Sequence, residues 1–199
     1  MLILKRKKKS RNKRGPWNKG KMIGRKLPLN LKQIRSIRTR LKAARQMREL
    51  ALFNLAIESN LSACDIVRLR VRDIAKGRHV LSRATIAQLE SPRPVRLEIS
   101  DETQDSVATW IASEKLRSDQ YLFPSRLSES PHLSTRQYAR LVASWVSSIG
   151  LDPSAYGTQS LRRTKASLIY RQTKSLLAAQ LFLGHTRLRN TARFLGIEV

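Results

Sequence analysis

From Leu31 onward, apolar residues recur every three or four positions. Leu41, Ala44, Met47, Ala51 and Leu55, with Leu52 beside them, form one helical stripe that predicts a helix to about Ser59. Ser62-Ala63-Cys64-Asp65 has the spacing of a capping box, which predicts a second helix to about Arg70. Between Val71 and Ile99 the period shortens. His79-Val80-Leu81, Thr85-Ile86-Ala87 and Val95-Arg96-Leu97-Glu98-Ile99 read as short strands, punctuated by Gly77, Pro92 and Pro94.

Helical spacing then returns over Asp101 to Ala112, with Val107, Trp110 and Ile111 facing inward. Tyr121-Leu122-Phe123-Pro124 reads as a buried extended piece. Ser134 and Gln137 cap a helix that carries Tyr138, Leu141, Val142, Trp145, Val146 and Ile149 on one face and ends at Gly150. Two further helices are predicted, over about 159–171 and about 174–183, the second closed by Gly184. Helices, a small sheet and helices again define an α+β class. The 199 residues suffice for one domain plus a tail.

Charge changes the picture more than composition does. Hydrophobic residues make up 41%, the level of an ordinary globular chain, but 40 Lys and Arg oppose 14 Asp and Glu for a net charge of +26. Residues 1–50 hold 19 of those cations and one acid, Glu49. Such an excess points to a polyanionic partner, most often nucleic acid. Residues 5–14 (KRKKKSRNKR) are too polar to bury a core and read as disordered when free. Trp17, inside the turn-rich Gly15-Pro16-Trp17-Asn18-Lys19-Gly20-Lys21, can stack on a base or cap the core from outside. Residues 1–30 are assigned to a basic tail and 31–199 to the folded domain.

The single cysteine, Cys64, lies in an apolar stretch and has no partner for an intrachain disulfide, which fits a reducing compartment. No stretch approaches the roughly 20 apolar residues that span a bilayer, and the apolar start precedes rather than follows the basic run, so a signal peptide is not expected. A cytoplasmic, nucleoid-associated protein without a membrane or small-molecule partner is the expectation. His79, His132 and His185 are widely scattered, so neither a metal site nor a cofactor is called for.

Chemistry concentrates near the C-terminus: Gln159-Ser160-Leu161-Arg162-Arg163, then Leu183-Gly184-His185, then Phe194 nine residues beyond that histidine. Here the sequence resembles the tyrosine recombinase (phage integrase) family, whose hallmark is H-x-x-R, L-G-H and a tyrosine nine residues after the second histidine. The resemblance runs over roughly residues 16–199 and includes PWNKGK, ALFNLAIESNLSACDIVRLRVRDI, YLFPSRL and YGTQSLRRTKASLIYRQT. It implies a mainly helical catalytic domain with a small antiparallel sheet. It also implies a reaction in which a tyrosine hydroxyl attacks a DNA phosphate to form a phosphotyrosyl link. Two arginines neutralise the phosphate oxygens, and a lysine and histidines handle protons.

Carried over residue by residue, Arg162 and His185 occupy retained catalytic positions. The first arginine of the motif G-L-R-x-x-E/D-L falls on Ser62, the hairpin lysine on Glu90, the first histidine on Gln159 and the nucleophile on Phe194. Four of six roles are thus held by residues unable to perform them, and a phenyl ring has no oxygen with which to attack. Leucines, Arg163, Thr164, Gly184 and Gly196 around those positions remain, as expected of a folded chain with silenced chemistry.

The resemblance therefore implies a catalytically degenerate DNA-binding protein. Double-stranded DNA is its partner, with a homo-oligomer or a hetero-oligomer with an active recombinase possible on that DNA. Lys7, Lys8, Lys9, Arg11, Lys13, Arg14, Lys19 and Lys21 are candidate backbone contacts. Arg163 and Lys165 are either further contacts or part of a solvated helix face. An active subunit complemented in trans, and a nonspecific nucleic-acid binder working through its tail, are the alternatives.

Overall fold

The computed structural model describes residues 25–77, 79–89, 93–126 and 130–197. The tail lysines and arginines from Lys7 to Lys21, Trp17 and Glu90 lie outside the described residues. Asn30 opens α1 (Leu31–Ala43): its side chain accepts from Gln33 N and the Gln33 side chain accepts from Asn30 N, both at 2.9 Å. Ile34, Ile37 and Leu41 face the core.

The single helix expected to reach Ser59 is two. The chain turns at residues 44–46, with Arg45 left-handed at φ 52°, before α2 (Met47–Glu58). The reason is a change of environment. α1 buries one stripe, whereas every residue of α2 from Ala51 to Ile57 is buried. The turn lets α1 lie along the surface while α2 runs through the core, and it leaves Met47 exposed.

Ser62 then caps α3 (Ala63–Val67), followed by α4 (Val71–Ile74). The strands form two antiparallel pairs. β1 (Ala75–Lys76) pairs with β2 (His79–Val80), and β3 (Arg83–Ile86) pairs with β4 (Val95–Glu98) in the register Arg83↔Glu98 to Ile86↔Val95. Ala84, Ile86 and Leu97 point inward, while Arg83, Thr85, Arg96 and Glu98 point out, the period-two alternation of a half-buried hairpin.

Capped by Ser100, α5 (Asp101–Ser113) packs on α2, and Trp110 Nε1 donates to the Leu122 carbonyl at 2.7 Å, tying down the buried extended piece. Ser134 caps α6 (Thr135–Ser148), whose Trp145 meets Phe53 edge-on at 5.4 Å. A 3-10 turn (Pro153–Ala155) leads to α7 (Thr158–Thr173), α8 (Leu176–Leu183) and α9 (Leu188–Leu195). The last helix was not among those expected; its Thr191 and Ala192 are buried against α7 and α8.

The α+β class holds, mainly helical with small antiparallel sheets. The domain boundary drawn at residue 30 does not. Leu29 is buried and its N–H donates to Thr164 Oγ1 at 3.0 Å, and Leu27 N donates to the Ala155 carbonyl at 3.0 Å. The folded body therefore includes residues 27–30. No helix among the described residues is long and apolar enough to cross a membrane.

Candidate functional site

The start of α7, the end of α8, the loop after α2 and the β3–β4 hairpin converge on an open pocket of about 400 Å³. Arg162, His185, Asn60, Gln88, Arg93 and Arg96 line it, with residues 181–184 along one wall. α7 begins where Ser160 Oγ accepts from Gly157 N at 3.1 Å, which sets Arg162 half-buried in the first turns. α8 stops at Gly184, left-handed at φ 67°, a conformation open to glycine without steric penalty. That turn delivers His185 to the same pocket as Arg162.

His185 is held from both sides. Its Nδ1 lies 3.1 Å from Thr191 Oγ1 on α9, and its carbonyl accepts from Gln180 Nε2 at 2.9 Å. Burial, and then the charge of Arg162, hold its imidazole below the ordinary value of 6.5, so the ring is neutral at pH 7. Arg162 in turn donates from Nε to Asn60 Oδ1 at 3.1 Å.

Phe194 sits on α9 with its ring edge-to-face against His185, centroids 5.6 Å apart at 84°. The Arg163 guanidinium carbon also lies over this ring, 5.2 Å from its centroid. Arg163 is thus not the surface cation the sequence suggested. It is 8% exposed, and one of its terminal nitrogens donates to the Lys26 carbonyl. Desolvation, then the charge of Arg25, pull its guanidinium below its ordinary value. Lys165 is half-buried, its ammonium 5.7 Å from the Phe182 ring centroid. It lines a larger groove of about 850 Å³ between α1 and α7, floored by Ile34, Ile57, Leu168 and Ile169.

Ser62 and Gln159, the two described substituted positions besides Phe194, do not line the pocket. Ser62 is spent on helix capping: its Oγ accepts from Asp65 N at 3.2 Å and donates to Asp65 Oδ2 at 2.7 Å, and half-buried Cys64 packs on the same oxygen. Gln159 is exposed in the first turn of α7 and does not line the pocket. Gln88, just after β3, and Arg93, just before β4, line the pocket. All four tyrosines of the chain are described, and none lines the pocket. Tyr138 is buried, with its phenol pushed far up by desolvation. Tyr156 accepts from Gln33 Nε2 at 3.4 Å, and Tyr121 lies under Arg70. Tyr170 is half-buried on α7. Among the described residues no cluster of His, Cys, Asp or Glu could hold a metal ion.

Sequence reasoning missed Asn60, Gln88, Arg93 and Arg96. The two arginines bracket the start of β4 and were legible as cations on a hairpin. Nothing in sequence ties Asn60 to residues more than a hundred positions away.

Residues 28–197 match the family model described as the phage integrase family, and the chain belongs to that family. It is similar to the Bacillus subtilis (strain 168) protein named "Probable integrase/recombinase YoeC", 28% identical over 157 residues that cover 76% of this chain and 78% of that one. Among solved structures it is similar to XerA recombinase, with a TM-score of 0.69, 14% identity, and coverage of 86% of this chain and 59% of that one. It is also similar to XerH site-specific recombinase bound to difH substrate in a pre-cleavage complex, with a TM-score of 0.65, 18% identity, and coverage of 84% and 50%. A lambda integrase dimer bound to a COC′ core site gives a TM-score of 0.63, 16% identity, and coverage of 86% and 48%. These likenesses show the tyrosine recombinase catalytic-domain fold. The chain spans 48% to 59% of the length of these solved relatives.

Proposed function

We propose that this chain binds duplex DNA through a recombinase-type pocket whose own strand-cutting chemistry is lost, and that it modulates an active relative by occupying its sites or joining its oligomer. One observation carries the reading. Arg162, His185, Arg93 and Arg96 line a single pocket, while position 194 is a phenylalanine and no tyrosine reaches it. Three guanidiniums around one concavity suit phosphate oxygens. Without a hydroxyl in line there is no nucleophile, and losing that group alone abolishes a covalent step. XerH and the lambda integrase dimer, which share the fold, are described bound to DNA. The basic residues 5–14 add a contact to the duplex backbone with little readout of sequence.

Incubation with a suicide duplex tests the reading. Salt-sensitive binding is expected, with the logarithm of affinity falling by about 0.9 per phosphate contact for each unit of log salt. A protein–DNA adduct that survives SDS overturns it. Deleting residues 1–24 separates the pocket from the tail: loss of all affinity in a variant whose circular dichroism and melting are native assigns binding to the tail alone.

The retained pair of Arg162 and His185 favours a second reading, an active subunit that accepts its nucleophile from a partner. Mixing with an active relative that keeps its tyrosine but lacks its own arginine and histidine at the positions matching Arg162 and His185 discriminates. Recombination restored in that mixture would contradict the first proposal.

A further inference from the structure

We propose that Asn60 is the positioning residue of this pocket, holding with one side-chain amide both the Arg162 guanidinium on α7 and the end of α8 that presents His185. Asn60 lies in the loop between α2 and α3 and is 4% exposed. Its Oδ1 accepts from Arg162 Nε at 3.1 Å and its Nδ2 donates to the Leu183 carbonyl at 2.7 Å. Leu183 is the last residue of α8, where carbonyls have no partner within the helix. His185 follows two residues on, across left-handed Gly184. A single planar amide thus fixes the two pocket groups relative to each other.

No other residue type of this size does both. Asparagine offers an acceptor and a donor from one rigid group; aspartate offers only acceptors and leucine neither. Burial makes the link demanding, because a buried guanidinium nitrogen or carbonyl left unpaired is strongly disfavoured. Engaging Nε also sets the plane of the guanidinium, which decides whether its edge faces an anion or the protein wall.

The position has a second meaning in this sequence. Aligned to the motif G-L-R, Asn60 stands at the glycine and Ser62 at the arginine. The chain thus lacks a cation at 62 and carries, two residues earlier, an amide that braces the arginine it keeps.

The inference rests on the pocket reading only for its DNA arm. In the full chain, Asn60→Leu, Arg162→Ala and the double variant are compared for duplex affinity by anisotropy. In the free protein, NMR follows the Arg162 Nε–H and the His185 titration. Each single substitution is expected to weaken binding about tenfold, with the double no weaker than Arg162→Ala alone. The Arg162 Nε–H is expected to exchange slowly in the native chain and rapidly in Asn60→Leu. The His185 midpoint should rise in Asn60→Leu because the Arg162 charge is no longer held beside it, and Asn60→Leu added to Arg162→Ala should then leave the midpoint where Arg162→Ala alone puts it; a purely structural role, which exposes the ring, would raise it further. Additive effects in the double variant, or an unmoved His185, overturn the proposal. A rapidly exchanging Nε–H in the native chain overturns it even if Asn60→Leu fails to fold. If Arg162→Ala leaves DNA affinity intact, the pocket reading fails, and the Nε–H and His185 signals still decide the role of Asn60.

Discussion

The guanidinium carbon of Arg163 lies 5.2 Å from the centroid of the Phe194 ring. His185 meets the same ring at 5.6 Å. Position 194, to which the resemblance assigns the nucleophile, is here a packing position. The ring meets a buried cation on α7 and the pocket histidine, and so helps hold α9 against its own chain.

Phe194→Ala should therefore destabilise the fold by about 1–2 kcal/mol, below the range for a fully buried ring because this one is half-buried. Phe194→Tyr should stay within about 0.5 kcal/mol of the native protein, as a near-isosteric exchange. Urea denaturation measures both. The tyrosine variant should still form no covalent adduct with a suicide duplex, because Ser62 and Gln159 leave the site without its first arginine and first histidine. Adduct from this single change would show that those groups are dispensable.

Arg163 and Arg162 are sequence neighbours with opposite roles. Arg163→Met removes the hydrogen bond to the Lys26 carbonyl and the cation beside Phe194, for a loss of about 1–3 kcal/mol. Duplex affinity of the folded variant should be unchanged, since the native guanidinium is buried away from solvent. A drop in affinity matching that of Arg162→Ala would place Arg163 at the interface after all.

His185 ties the fold to pH. Its folded value lies below the ordinary 6.5, through burial and then the charge of Arg162. Between that folded value and 6.5 the unfolded chain takes up a proton and the folded chain does not. The stability associated with the neutral ring is therefore complete above 6.5 and declines as pH falls towards the folded value. His185→Gln should flatten this part of a stability-versus-pH curve measured in urea. An anion in the pocket favours the protonated ring, so duplex affinity should rise on acidification through the same window, and this rise should vanish in His185→Gln.

Ser62 has become a helix cap. Ser62→Ala should lower stability by about 1 kcal/mol through loss of the bond from Asp65 N. Ser62→Arg, which restores the family residue, should also lose the cap and melt about 2–4 °C lower. Calorimetry on the two variants checks this. An arginine variant as stable as the native protein would mean that the cap contributes nothing.

Much of the architecture was legible because local rules decide it. Ser62 and Ser134 announced their helices through short-range capping bonds. The short apolar runs Thr85-Ile86-Ala87 and Val95 to Ile99 marked strands, which pair as β3 and β4. The break at Arg45 was hidden because the apolar spacing of α1 and α2 runs on without interruption. Only the central burial of α2 forces the chain to change direction. The short helix α9 escaped notice because its apolar positions are few and its burial depends on α7 and α8.

The candidate site divides along the same line. The sequence by itself determined that the chain belongs with the tyrosine recombinases, that an arginine stands at 162 and a histidine at 185, and that residue 194 has no hydroxyl. Those are matters of residue identity and spacing, which no folding can alter. Tertiary structure alone decided that Arg163 is buried against Phe194, that Arg93 and Arg96 join the pocket, and that Asn60 links Arg162 to Leu183. Such pairings depend on which surfaces meet when the helices pack, and a burial or hydrogen bond between distant positions leaves no periodic trace along the chain.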